Sequence, residues 1–153
     1  MTPSIRQMTA ADRETWIRLR AALWPNEVDE VHVKDVDALL KGETGFGFVA
    51  EAEDGAAVGF AEIFIRPFAN GCDSRPVPFL EGIWIAAPFR RRGISTLLVK
   101  HIEDFMVARG FHEIGSDALV ENHVSQDAHR SWGFAETERV VYFRKALNHG
   151  SAG

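Results

Sequence analysis

One stretch of the chain, residues 79–96, constrains the fold more than any other. Its first seven residues, FLEGIWI, are mostly apolar and predict a buried strand. A short connector with Pro88 follows, and a basic turn with three arginines at 90–92 opens a long helix. The first N–H groups of a helix have no partner within it and carry the positive end of its dipole. This arrangement therefore predicts a binding site for a phosphate-bearing ligand.

The composition predicts one compact domain over residues 1–147. The chain has 153 residues, 46% of them hydrophobic and 25% charged, which is enough to bury a sizeable core. We expect a disordered tail at 148–153, where few residues can pack. No apolar run approaches the roughly 20 residues that span a bilayer, and the first residues lack the pattern of a signal peptide. We therefore expect a cytoplasmic protein without a membrane partner.

Charge and cysteine content exclude several functional classes. A net charge of −5 argues against nucleic acid as a partner, because phosphate neutralisation needs a positive face. The acidity suits a cationic small molecule, although solubility alone also explains a mild excess of acid. Cys72 is the only cysteine, so an internal disulfide is impossible. No spacing of Cys and His suggests a metal site, and we expect none.

Hydrophobic periodicity predicts a mixed α/β chain. Strands are predicted at 5–8, 46–53, 57–66, 79–85, 113–117 and 138–145, and helices at 9–23, 33–42, 93–109 and 124–132. Asp54-Gly55 favours a tight hairpin between the second and third strands. The loop at 66–78 is long enough to be functional. The strand, helix and strand over 79–117 predict a right-handed crossover with parallel strands.

The motif Arg90-x-x-Gly93-x-Ser95 after a strand resembles the acetyl-CoA signature of the GNAT-type N-acetyltransferases. The order β-α-α-β-β-β-α-β-α-β also resembles that family over nearly the whole chain. The resemblance implies an α/β GNAT fold with a mixed, mostly antiparallel sheet, in which a central pair of parallel strands splays apart. Helices flank that sheet.

The same resemblance implies acetyl-CoA as co-substrate and assigns its binding residues. Main-chain groups of Ile83, Trp84 and Ile85 would pair with pantetheine as an added strand does. The pyrophosphate would lie on the turn formed by Arg91, Arg92, Gly93, Ile94, Ser95 and Thr96. Asn122, after the next strand, matches a further family position.

Five segments outside this motif resemble the aminoglycoside 6′-N-acetyltransferases: Leu23-Trp24-Pro25, Asn70 to Ser74, Phe79 to Gly82, Ser116-Asp117 and Glu136 to Val140. This resemblance implies acetylation of an aminoglycoside antibiotic, resistance to it, and a homodimer. The implied substrate-binding residues are Trp24, Glu27, Phe68, Glu81, Asp117 and Glu138. Carboxylates suit such a polycation because they form charge-assisted hydrogen bonds with ammonium groups.

We expect the amine to attack the thioester directly, without an acyl-enzyme, because Cys72 has no Cys/His constellation around it. Glu81, through water, is the first candidate to accept the proton, and Asp117 is the second. Backbone N–H groups near residues 83–85 would stabilise the oxyanion. His129 or Tyr142 could protonate the leaving thiolate, although His129 could equally be a packing residue of its helix.

Three of these substrate residues also have a ready structural interpretation. Trp24 could be a core aromatic, Asp117 a turn cap and Glu138 a solvated charge, whereas Glu81 lies in an apolar run and is costly to bury without a partner. Two other functions remain open: acetylation of another amine (a polyamine, a metabolite or a protein N-terminus), and a non-catalytic sensor that binds acyl-CoA.

Overall fold

The computed structural model describes residues 2–150. Its sheet has four antiparallel strands in the order β1-β2-β3-β4. The strands are β1 Ser4–Gln7, β2 Gly45–Glu51, β3 Ala57–Arg66 and β4 Val77–Ile85. The helices are α1 Arg13–Leu23, α2 Asp29–Leu40, α3 Ile94–Ala108 and α4 His123–Ser131. These strands and all four helices lie where the periodicity predicted them, within a few residues at each end.

The hairpin between β2 and β3 is confirmed. The Ala56 N–H donates to the Asp54 carboxylate at 3.0 Å. Gly55 adopts a φ of +84°, which glycine reaches without the steric cost that a Cβ would bring. The Asp-Gly pair therefore supplies both the side-chain acceptor and the left-handed residue that this turn needs.

The sheet carries one hydrophobic core on each face. Helix α3 covers one face with Leu98, Ile102 and Met106, which pack against Phe48 and Leu80. Helices α1 and α2 cover the other face. Trp16, Leu19, Val36 and Leu39 point inward there, which confirms the three- and four-residue spacing read from the sequence.

The predicted strand at 113–117 is reduced to one parallel bridge, between Gly115 and Phe79. The Leu80 N–H donates to the Gly115 carbonyl at 2.8 Å, and the Gly115 N–H donates to the Pro78 carbonyl at 2.9 Å. The parallel direction is thus confirmed, but the pairing ends after Leu80. A bulge in β4 at the next residue bends that strand, so the two segments separate there.

The predicted strand at 138–145 is wrong for the single chain. Val141, Tyr142 and Phe143 are 77%, 78% and 92% exposed and belong to no strand. Alternating apolar residues favour an extended backbone, but a strand also needs a partner for its N–H and C=O groups, and none of the four described strands pairs with this segment. Residues 151–153 of the predicted tail lie outside the described part of the chain.

The loop that joins β3 to β4 is anchored to the segment after α3. The Glu113 carboxylate accepts hydrogen bonds from the backbone N–H groups of Asp73, at 2.8 Å, and Ser74. These bonds hold the pKa of Glu113 below its ordinary value. None of the helices found within residues 2–150 is long and apolar enough to cross a membrane.

Candidate active site

A β-bulge in β4 directs Glu81 out of the core. Leu80 pairs with Ile63 of β3, and Gly82 pairs with Glu62, so Glu81 is the extra residue on its strand. Side chains of a regular strand alternate between the two faces of the sheet, and the extra residue shifts this alternation by one. Leu80 and Ile83, three residues apart, therefore both pack in the core under α3. Glu81 and Gly82 consequently both face the side of the sheet that α1 covers.

Arg66 at the end of β3 binds the Glu81 carboxylate with both arms of its guanidinium. Nε donates to Oε2 at 2.8 Å and Nη2 donates to Oε1 at 2.7 Å. The guanidinium also lies 3.6 Å from the centroid of the Phe79 ring. Arg66 and Glu81 therefore form a half-buried ion pair held by two parallel hydrogen bonds.

Glu81 lines a cleft of about 630 Å³ between β4 and the ends of α1 and α2. Trp24 and Glu27, which follow α1, line the same cleft, as does Asp35 of α2. A Cβ on Gly82 would come within 2.7 Å of the Trp24 ring, so only glycine lets the indole lie this close to the strand. The cleft thus combines one aromatic face with several carboxylates.

A buried polar network lies beneath the cleft. Glu62 is fully buried and accepts hydrogen bonds from Arg20 Nη1, at 2.7 and 2.6 Å, and from Trp16 Nε1, at 2.7 Å. Arg20 also donates to Asp35 at 2.7 Å and to His32 Nδ1 at 3.3 Å. Burial raises the pKa of Glu62, while the guanidinium and the indole N–H oppose that rise.

The same network holds Trp24. The Arg20 guanidinium lies 4.8 Å from the centroid of the Trp24 ring, and His32 Nε2 donates to the Trp24 carbonyl at 3.2 Å. The indole is therefore fixed between a cation on one side and Gly82 on the other.

The turn before α3 is open and positively charged. Arg91 and Gly93 adopt φ values of 61° and 78°, and no side chain caps the helix that begins at Ile94. A Cβ on Gly93 would have no atom within 4 Å. Unpaired N–H groups of the first helical turn, beside three arginines, fit a pyrophosphate.

One edge of β4 pairs with β3. On its other edge, the only bridge within the described residues joins Phe79 to Gly115, so this edge is unpaired beyond Leu80. This free edge carries Ile83, Trp84 and Ile85. It runs from Glu81 toward the turn at Gly93, and its main-chain groups fit an extended amide chain such as pantetheine.

The His129 side chain extends from α4 to Ser116, the residue after the bridge at Gly115. Its Nδ1 is 2.7 Å from the Ser125 carbonyl and its Nε2 is 2.7 Å from the Ser116 hydroxyl. Since a carbonyl only accepts, the hydrogen-bond geometry assigns the proton to Nδ1 and makes Nε2 an acceptor. Proton donation by Nε2 to a thiolate therefore requires the imidazolium form.

The other predicted site residues are less closely grouped. Asp117 and Tyr142 lie near enough to Arg66 to raise the pKa of its guanidinium, after the larger effect of Glu81. Phe68 is exposed beside Arg75, 5.5 Å from that guanidinium. Glu138 lies against Gly71 of the β3-β4 loop, outside the cleft.

Asn122 caps α4. Its side-chain oxygen accepts a hydrogen bond from the Ser125 N–H at 3.1 Å. Ser95, another predicted cofactor-binding residue, accepts a hydrogen bond from Trp132 Nε1 at 3.3 Å, which ties the end of α4 to the first turn of α3.

Burial and two nearby carboxylates, Glu113 and Asp73, raise the pKa of the Cys72 thiol. A thiol of this kind is a weak nucleophile at neutral pH. Among the residues the structure describes, no group of three or more His, Cys, Asp or Glu side chains could hold a metal ion.

Sequence reasoning missed Arg66, Arg20 and Glu62. Glu62 carried a usable signal, since it stands inside the apolar run of β3 just as Glu81 stands inside β4. Arg20 also carried one, because it follows the buried Trp16 by one helical turn. Arg66 carried no such signal. Its partner Glu81 follows the loop at 66–78, and the sequence does not predict how that loop brings the two residues together.

A family model described as the acetyltransferase (GNAT) family matches residues 13–134. Among curated proteins, the aminoglycoside N(6′)-acetyltransferase type 1 of Salmonella enteritidis is 43% identical over 142 residues, which is 92% of this chain and 97% of that protein. The protein of the same name from Serratia marcescens is 42% identical over 88% of this chain and 92% of its own.

Solved structures agree with these sequence relatives. AAC(6′)-Iy in complex with the bisubstrate analog CoA-S-monomethyl-acetylneamine is 40% identical, with a TM-score of 0.89 over 96% of this chain and all of that chain. The aminoglycoside 6′-N-acetyltransferase AAC(6′)-Ih from Acinetobacter baumannii is 34% identical, with a TM-score of 0.86 over 95% of this chain and 99% of that one.

Proposed function

The chain belongs to the acetyltransferase (GNAT) family, and we propose that it transfers the acetyl group of acetyl-CoA to the 6′-amine of aminoglycoside antibiotics. One observation supports this most: a carboxylate-lined cleft meets the free edge of β4 at Glu81. A polycation in the cleft and a thioester along that edge would face each other at this residue.

Acetyl-CoA occupies the edge of β4 and the turn before α3. Its pantetheine chain pairs with Ile83 to Ile85, and its pyrophosphate lies on the N–H groups and arginines of residues 91–96. The open space around Gly93 and the uncapped helix start support this placement. Asn122 lies at the start of α4, whose far end contacts the first turn of α3 through Trp132.

The aminoglycoside binds across the cleft. Trp24 offers its indole face to a sugar ring, and Glu27 and Glu81 accept hydrogen bonds from ammonium and hydroxyl groups. Asp117, next to Arg66, extends the acidic surface past Glu81. Phe68 and Glu138, on the loop side, contact the rings that reach beyond the cleft.

The reaction is direct transfer. The neutral amine attacks the thioester carbonyl, a C–N bond forms, and N–H groups of β4 stabilise the oxyanion. Glu81 accepts the amine proton through water, with Asp117 as the second candidate. The C–S bond then breaks, and the thiolate of CoA takes a proton from His129, Tyr142 or solvent.

We further infer a homodimer in the cytoplasm, where acetyl-CoA is available. The exposed apolar side chains Val141, Tyr142, Phe143 and Leu147 support an interface with a second copy. Sedimentation of the unmodified chain and of Phe143→Asp tests this. A monomer in both cases contradicts the dimer.

Thiol release from acetyl-CoA tests the function. We expect release with kanamycin, tobramycin and neomycin, but little with paromomycin, which has a hydroxyl in place of the 6′-amine of neomycin. Acetylation of aminoglycosides would give resistance to them. Faster release with spermidine would favour another amine as substrate, and tight acetyl-CoA binding without release to any acceptor would indicate a sensor.

A further inference from the structure

We propose that Arg66 is a positioning residue of the acetyl-transfer site, which fixes the Glu81 carboxylate and favours the neutral, nucleophilic form of the acceptor amine. This inference rests on the proposed function, because it requires an amine bound at Glu81. Arg66 itself matches no part of the cofactor motif and none of the expected substrate residues.

The geometry leaves the Arg66 side chain little freedom. Two parallel hydrogen bonds of 2.8 and 2.7 Å join it to Glu81, and its guanidinium stacks on the Phe79 ring at 3.6 Å. Phe79 in turn pairs with Gly115 through the parallel bridge. Arg66 therefore connects the end of β3, the bulge in β4 and the bridge at the base of the splayed edge.

Acidic groups from three segments of the chain surround Arg66. The carboxylates are Glu81 from β4 and Asp117 from the segment after the bridge, and the Tyr142 phenol comes from the C-terminal segment. The Arg66 guanidinium thus places a positive charge beside two carboxylates that are predicted to bind the substrate, Glu81 and Asp117. It lies where a bound ammonium would also find its carboxylate partners.

An amine must lose its proton before it attacks the thioester. Carboxylates alone would oppose this, since a nearby negative charge favours the ammonium form. A fixed guanidinium close to the same carboxylates acts in the opposite direction, because like charges disfavour each other. The carboxylates of the cleft can therefore attract a polycation. Because of Arg66, the reacting amine of that polycation can still transfer its proton to water or to Glu81.

Two substitutions separate position from charge. Arg66→Lys keeps the positive charge but loses the two-armed hydrogen bond. Arg66→Gln loses both. Arg13→Gln is the matched control, because Arg13 also makes a two-armed ion pair, with Asp37, and its side chain is 37% exposed compared with 38% for Arg66.

Two quantities are measured. The first is the single-turnover rate of acetyl transfer to saturating tobramycin as a function of pH, since this rate reports the groups that titrate in the bound complex, and the second is the steady-state KM for tobramycin. In Arg66→Gln the acidic limb should move up by about one pH unit. In Arg66→Lys the limb should stay at the wild-type pH while the KM for tobramycin rises about tenfold. Arg13→Gln should match the wild type in both quantities.

Three results would overturn the proposal: an unmoved limb in Arg66→Gln, an equal shift in Arg13→Gln, or a full shift in Arg66→Lys. If Arg66→Gln fails to fold, Arg66→Met, which also removes the charge, takes its place with the same expected shift of the limb. Acetyl-CoA affinity, followed by tryptophan fluorescence, should be unchanged in all variants that fold. Absence of transfer by the unmodified enzyme would instead refute the proposed function, and this inference with it.

Discussion

Replacement of Glu62 by glutamine tests the buried network that supports the cleft. The change removes one negative charge that is fully buried between Arg20 and Trp16. Breaking a buried ion pair on one side costs about 3–5 kcal/mol, because the remaining charge stays buried without its partner.

The contacts that survive set the expected value within that range. Glutamine keeps an oxygen that can accept from Trp16 Nε1, and Arg20 keeps its 2.7 Å contact with Asp35. The free energy of unfolding should therefore fall by about 3 kcal/mol, at the lower end. For a domain of this size, that corresponds to a decrease in Tm of about 6–12 °C.

Urea unfolding at one fixed protein concentration measures this loss, since association would otherwise shift the apparent stability. Asp37→Asn is the matched control, because it breaks an exposed ion pair with Arg13 between α1 and α2. The control should be indistinguishable from the wild type. A loss below about 1 kcal/mol for Glu62→Gln, or one equal to the control, would refute the reasoning.

Three further changes give distinct results. Glu81→Gln should lower the single-turnover rate at least about 100-fold and leave acetyl-CoA affinity unchanged; equal losses in both would remove its proposed role. Asp117→Asn should raise the tobramycin KM about tenfold, the effect of one lost charge-assisted hydrogen bond, and an unchanged KM would count against substrate contact. Arg6 holds the pKa of Asp12 below its ordinary value, so this pair stabilises the fold above the unfolded pKa of about 3.9 and loses that effect as pH falls. Asp12→Asn should therefore be less stable than the wild type at pH 7 in urea unfolding, with a difference that narrows below pH 4; a constant difference would contradict the assignment.

Periodicity predicted most of the fold because helices α1 to α3 and strands β2 to β4 bury apolar side chains at regular positions. The stripe of Trp16 and Leu19 located α1, and the apolar run ending at Ile85 located β4. The segment 138–145 shows the limit of this reasoning. Its alternation favours a strand, but a strand also depends on a partner edge that a local pattern cannot specify.

Part of the site was equally readable from the sequence. Trp24, Glu27 and Glu81 line one cleft, and the turn at Gly93 opens an uncapped helix, while their roles in binding stay predictions. The bulge at Glu81 was not predictable, because it depends on the register between β3 and β4. The ion pair between Arg66 and Glu81 depends on the same register, so the sequence could not predict it either.

A crystal structure of the chain with CoA and tobramycin tests the central claim most directly. We expect the pyrophosphate on the turn at Gly93, the sulfur beside the edge of β4, and the 6′-nitrogen within hydrogen-bond distance of Glu81 or of a water bound to it. Tobramycin bound away from the cleft of Trp24 and Glu81, or a CoA sulfur with no open path to that cleft, would contradict the account.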